Sequence, residues 1–213
     1  MGLHCHIEPA HLDEVQLPGE EPAAFALRSA RDKAMAVAVR VTGRELSRSG
    51  SERPATRSEH RPGESLEGCA SDPSRGLPVL GADTVVEVDG LALGKPTDPA
   101  DAAAMLRRLS GRTHQVHTGV ALVAGDRCES LVDTASVRFR PLDDPTIDWY
   151  VASGEPTDKA GAYAIQGRGG MLVDGIDGSP NTVIGLPLHR LSELFDRLDM
   201  NLWSYLWEQP GPR

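Results

Sequence analysis

The sequence lacks the features that would place it in a membrane, a secretory route or a nucleic-acid groove. It has no run of about 18 apolar residues, which excludes a membrane-spanning helix. Its three cysteines, Cys5, Cys69 and Cys128, are scattered without a Cys-x-x-Cys spacing. Odd in number and unclustered, they make no disulfide framework and fit a reducing cytoplasm. The opening Met1-Gly2-Leu3-His4-Cys5-His6 has no cationic start followed by an apolar stretch, as a secretion signal would. A myristoylation signal would need Ser or Thr where His6 stands. Positive charge is scarce too: 22 Lys and Arg face 31 Asp and Glu, a formal net charge of −9 with no dense basic cluster. Duplex nucleic acid and anionic membranes are therefore disfavoured as partners. A small phosphorylated ligand remains admissible, because a few cations placed in a cleft dominate the local field.

What is present is an ordinary globular composition, 39% hydrophobic and 25% charged over 213 residues. That length suffices for one α/β domain, or for a domain with a smaller lobe. From about Glu20 to Arg40 the residues Ala24, Leu27, Ala30, Ala34 and Val37 recur at helical spacing. From Gly43 to Pro78 Ser, Arg, Glu, Pro and Gly dominate, and the stretch reads as a disordered insertion with too little apolar surface to order itself. Val79 to Val88 reads as a buried strand, and Asp89-Gly90 as a hairpin turn into Leu91-Ala92-Leu93. Asp98 then caps a helix with Pro99 in its first turn and Gly111 beyond its end. Two strands, Val116 to Val123 and Cys128 to Phe139, meet at Ala124-Gly125-Asp126. A helix from Asp144-Pro145 to Gly154 follows, then strand-like segments at Met171–Ile176 and Thr182–Ile184 and a helix from Pro187 to Leu198. Alternation of this kind predicts an α/β fold, a mixed sheet with helices on its faces. Residues 1–200 form a single domain on this reading, and 201–213 a tail.

Three segments place charged side chains beside glycine or proline at element ends, where function tends to sit. In Gly81-Ala82-Asp83-Thr84-Val85-Val86 a carboxylate interrupts an apolar strand, which is costly unless a cation or good hydrogen bonds hold it. In Leu93-Gly94-Lys95-Pro96 the lysine is a point charge suited to phosphate, although the same residues also make a plain turn. The third, Gly154 to Gly167, gathers Asp158, Lys159, Tyr163 and Gln166 among small residues, as the wall of a pocket for a flat ligand would. His114 and His117, an odd number apart on a strand, face opposite sides and cannot chelate one ion together.

The ordered series GADTVV, GKP, MLRRLSGRTHQVHTGVAL, VRF, YVASGEPTDKAGAYAIQG and GLPL resembles the Maf family of nucleotide pyrophosphatases, from about Gly2 to Leu194. Its DKAGAYAIQG wording is similar to the branch acting on dTTP and UTP. The resemblance implies an α/β fold with a central cleft, related to the inosine triphosphate pyrophosphatases. It implies hydrolysis of a nucleoside triphosphate to the monophosphate and pyrophosphate with a divalent cation, Mg²⁺ or Mn²⁺, in a cytoplasmic protein that forms a homodimer. The family's proton acceptor falls on Asp83. Thr84 and Gln166 match positions linked to base selection. Glu14, Lys33 and Lys95 match the acidic and basic lining of the cleft, with Glu14 and Asp83 holding the metal. Lys159 is a further substrate contact, unless it pairs with Asp158.

One family feature, an opening strand followed by Ser-x-Ser-Pro-Arg-Arg and a helix, does not occur in these residues. Arginines of that kind grip the triphosphate, and each lost charge-assisted contact costs about 1.5–3 kcal/mol. Loss of a core strand would also bare a sheet edge. Two expectations follow: a native start upstream of Met1 with an intact site, or a shortened, catalytically impaired nucleotide-binding or division-regulating protein.

Overall fold

The computed structural model describes residues 5–49 and 77–206. Residues 5–21 run without regular structure to a long helix, α1 (Pro22–Ser49). The helix passes through Gly43 instead of ending near Arg40. A single glycine costs a helix about 1 kcal/mol, which good helix formers such as Arg44, Glu45 and Leu46 offset. Of the expected insertion, 43–49 is thus helical, while 50–76 lies outside the described residues.

The sheet comprises β1 (Val79–Val88), β2 (Leu91–Leu93), β3 (Thr113–Ala124), β4 (Arg127–Phe139) and β5 (Val173–Asp177), in the order β2-β1-β3-β4-β5. Every pairing among the described residues is antiparallel. Helices α2 (Pro99–Leu109) and α3 (Asp144–Ala152) start as their signals require, with Asp98 accepting from Asp101 N and Asp143 from Thr146 N. Three 3-10 turns follow, at Glu155–Asp158, Ala160–Ala162 and Arg168–Leu172. The last described elements are α4 (Pro180–Ile184), α5 (Leu188–Asp196) and α6 (Trp203–Leu206). The strand expected at Thr182–Ile184 is α4. Capping outweighs its β-branched residues: Ser179 accepts from Asn181 N, Pro180 fills the first turn, and Gly185 closes the helix at φ +118°.

Alternation along the strands divides the sheet into two faces. One face carries Gly81, Asp83, Val85 and Glu87 of β1, opposite Ala121, Gly119, His117 and Gln115 of β3, and α1 lies across it. The approach is close because both strands present glycine. A Cβ on Gly81 would sit 2.9 Å from Ala34 Cβ, and one on Gly119 would overlap the backbone of Ala26. The other face is the main core. Val86, Val116, Val137 and Phe139 pack with Leu106, Leu109, Ile147 and Tyr150 at one end, and Val120, Leu122 and Leu131 with Leu191, Leu194 and Phe195 at the other.

Strand β2 covers the outer edge of β1 only at Val86, Glu87 and Val88. From Val79 to Val85 that edge has no strand partner among the described residues. The candidate site lies along this bare edge.

Candidate active site

A cleft of about 580 Å³ opens between β1, the N-terminal segment, the loop after β2, the turns at 158–163 and the end of α4. Asp83 stands on β1 with its side chain 8% exposed, on the face that α1 covers. A carboxylate so far removed from water needs a counter-charge. Lys33 of α1 supplies it, its Nζ lying 2.6 Å from Asp83 Oδ1 and 2.7 Å from Glu14 Oε1. Burial works against the ammonium charge, but the bonds to Asp83 and Glu14 outweigh it and hold the Lys33 pKa above the usual lysine value. The expected metal-binding pair, Glu14 and Asp83, therefore converges on one position that a lysine nitrogen fills.

The opposite wall comes from the loop after β2 and the Asp158–Tyr163 segment. Gly161 N donates to Gly94 O at 3.0 Å and ties the two loops together. Gly161 is irreplaceable there: φ is +67°, and an added Cβ would meet Val86 Cγ1 and Cγ2 at 2.9 Å. Lys95 lines this wall, and so does Lys159, whose Nζ binds both Asp158 oxygens at 2.7 Å. That bond, against a smaller opposing effect of burial, holds the Asp158 pKa below the usual carboxylate range, with Lys95 nearby adding to it. Tyr163 lines the cleft with its hydroxyl 2.8 Å from Nε2 of the buried His114.

Thr84, next along β1, points to the opposite face from Asp83 and also lines the cleft, with its Oγ1 2.9 Å from Thr118 Oγ1. Gln166 is the exception among the expected residues. It is exposed, in a turn, and is not among those lining the cleft. Its loop is pinned by two residues the sequence reading passed over. Glu155 accepts from Arg168 N at 2.9 Å, Gly169 N at 3.0 Å and the Tyr150 hydroxyl at 2.9 Å, while Tyr150 accepts from Ala164 N at 3.1 Å. These bonds outweigh the upward push of burial and keep the Glu155 carboxyl below its ordinary pKa. Asp133 on β4 was passed over as well, although an acid inside an apolar strand is the signal that singled out Asp83. The two histidines do face opposite sides: His117 bonds Glu87 at 2.7 Å and Thr134 at 2.9 Å on the α1 face, and His114 packs edge-on against Phe139 and Tyr163 on the other.

The charges decide what the cleft can hold. Asp13, Glu14, Asp83 and Asp158 face Lys33, Lys95 and Lys159, so the lining has no surplus of positive charge for a polyanion. An additional cation would have to accompany one. No group of three or more His, Cys, Asp or Glu capable of holding a metal exists among the described residues. Two carboxylates on a wide cleft still fit Mg²⁺ or Mn²⁺, which take few protein oxygens and complete their shell with water and substrate phosphates.

The fold and these charges define a class, an α/β protein with one wide cleft lined by both acidic and basic side chains. More particularly, the chain belongs to the Maf family, whose model, described as Maf-like protein, matches residues 1–198. A protein of Dechloromonas aromatica named dTTP/UTP pyrophosphatase is 45% identical over 87% of this chain and 79% of its own length. One of the same name from Anaeromyxobacter dehalogenans is 42% identical over 99% of this chain and 90% of its own. A third, from Aromatoleum aromaticum, is 52% identical over 61% of this chain, and that match spans 64% of the relative.

Proposed function

We propose that this chain hydrolyses dTTP and UTP between the α- and β-phosphates, yielding the nucleoside monophosphate and pyrophosphate. The observation that carries the reading is the nearly buried Asp83 carboxylate, fixed in the cleft by Lys33 at 2.6 Å. The name shared by the relatives supports the choice of substrate.

Attack on a phosphoryl centre is limited by charge and orientation more than by covalent demands on the protein. Asp83 orients a water against the α-phosphorus and takes its proton as the new P–O bond forms. The bond from phosphorus to the bridging oxygen breaks, and pyrophosphate leaves with the electron pair. Lys33 keeps the charge of Asp83 and Glu14 compensated before the substrate arrives. Lys95 neutralises the outgoing phosphates, and Lys159 joins it by exchanging Asp158 for a phosphate oxygen. Glu14 and Asp83 would hold the divalent cation, whose contribution is to offset phosphate charge that the lysines cannot balance alone. Tyr163, Val183 and Ile184 form the apolar side for the base. On the family resemblance we take the protein to be a homodimer, which light scattering reads directly.

Purified protein given dTTP or UTP with Mn²⁺ releases pyrophosphate, and Asp83→Asn lowers the rate about a thousandfold, within the usual range for a lost general base. Release of orthophosphate, or a variant as fast as the wild type, would sink the mechanism.

A further inference from the structure

We infer that Arg28 of α1 is a positioning residue for the cleft: it grips the main chain beside Glu14 and so keeps that carboxylate turned towards Lys33 and Asp83. The inference rests on the reading above, in which Glu14 helps to hold the divalent cation, and goes further by naming what orders Glu14.

Glu14 lies in a stretch that has neither helix nor strand to fix it. Apolar burial does not fix it either, since Leu12, Val15 and Leu17 are all exposed. What ties the stretch down is a row of cations on α1. Arg40 donates from Nη1 to Ala10 O at 3.0 Å and from Nη2 to Pro9 O at 2.5 Å. Lys33 meets Glu14 at 2.7 Å, and Arg28 Nη2 donates to Val15 O at 2.9 Å. The order of these cations along α1 is the reverse of the order of their partners, so the segment runs back antiparallel to the helix.

Arg28 is the braced member of the row. Its Nε and Nη2 form a fork on the two Glu20 oxygens at 2.7 and 2.8 Å, and Glu20 Oε2 also accepts from Leu17 N at 3.0 Å. The chain turns there, with Glu20 N donating to Leu17 O at 3.0 Å and Gln16 Nε2 to Glu20 O at 2.6 Å. The guanidinium also bonds Asp32 at 3.3 Å and stands 5.4 Å from the centre of the Phe25 ring. The bond from Arg28, with the Leu17 amide adding to it, pulls the Glu20 pKa down to about 2, so the brace stays charged at neutral pH. A planar guanidinium held in such a fork has little freedom left, and its bond to Val15 O is therefore preorganised. Val15 directly follows Glu14, so losing that bond frees the main chain next to the carboxylate. Arg28 itself is not among the residues lining the cleft, and its effect on the site must pass through Glu14.

A double-mutant cycle on Mn²⁺ binding tests the assignment, with the loss of the free-ion paramagnetic resonance signal as readout and no nucleotide present. Arg28→Met weakens Mn²⁺ binding about tenfold or more, the usual cost of removing a residue that orients a metal ligand. In the Glu14→Gln background the same change has no further effect, because Arg28 acts through Glu14. Arg28→Lys, which keeps the charge but not the fork, behaves as Arg28→Met does. Glu20→Gln weakens the brace without touching Arg28 and gives a smaller loss that also vanishes in the Glu14→Gln background. An equal loss in both backgrounds would mark a merely structural role and overturn the inference. So would wild-type affinity in Arg28→Met, or a wild type that takes up no Mn²⁺. In pyrophosphate release, Arg28→Met raises the Mn²⁺ concentration for half-maximal rate by the same factor and leaves the KM for dTTP within about twofold at saturating Mn²⁺. Wild type that binds Mn²⁺ but turns over neither dTTP nor UTP would overturn the nucleotide reading, while the binding cycle would still decide the role of Arg28.

Discussion

Two side chains show how burial and charge set behaviour at the scale of single residues. Lys33 holds Glu14 and Asp83 together at 2.7 and 2.6 Å, and its removal leaves two carboxylates facing each other without a cation. Lys33→Met should lose about 2 kcal/mol of stability, the worth of hydrogen bonds to charged groups. Because the vacated position lies between two carboxylates, Mn²⁺ should raise the melting temperature of this variant more than that of wild type. An equal shift in both proteins would show that the pair is not a cation position. His114 is the second case. Burial among Phe139 and Tyr163 pushes its pKa down to about 4 from 6.5. The unfolded chain thus binds a proton below pH 6.5 that the folded chain refuses until about pH 4. The stability contributed by neutral His114 is complete above pH 6.5, falls between 6.5 and 4 by about 3 kcal/mol, and falls no further below. His114→Gln, which keeps a partner for Tyr163, should flatten urea midpoints measured between pH 7 and 4.5.

At the scale of elements, the sheet and α1 meet through glycine instead of through interlocking side chains. Gly81 and Gly119 leave the space that Ala26, Ala30 and Ala34 fill, and this closeness lets Lys33 reach Asp83 from a neighbouring element. Gly119→Ala should cost about 2 kcal/mol or more in chemical denaturation, because the added methyl overlaps helix backbone that cannot rotate away. Pyrophosphate release should fall with it, as α1 and Lys33 are pushed from the cleft. Elements announced by local chemistry matched their expected places: the Asp89-Gly90 hairpin, the Asp98-Pro99 cap and the Gly125-Asp126 turn all lie where sequence put them. Elements decided by competition did not. Thr182–Ile184 has the residues of a strand but is capped as a helix, and α1, expected to end near Arg40, runs on through Gly43. In both cases neighbouring residues outweighed the propensity of one or two.

At the scale of the whole molecule, a ligand that binds only the folded cleft must stabilise everything packed around it. With α,β-imido-UTP and Mn²⁺ at about 100 times the dissociation constant, the gain is about 2.7 kcal/mol, a rise of roughly 5–10 °C in melting temperature for a chain of this size. No shift at saturating ligand would contradict a nucleotide site in the cleft. The sequence by itself singled out most of the candidate residues. Asp83 in an apolar strand, Lys95 after a glycine and Lys159 beside Asp158 are all legible as residue types at local positions, and so was the α/β class. Only the tertiary structure decided how they are joined. It placed Lys33 between Glu14 and Asp83, left Gln166 outside the cleft lining, and ran one line of hydrogen bonds from Asp133 through Thr182 and Thr118 to Thr84. The physical reason is range: capping, hairpin turns and alternation act over a few residues, whereas these contacts join residues up to 64 positions apart, and only strand register and helix packing bring them together.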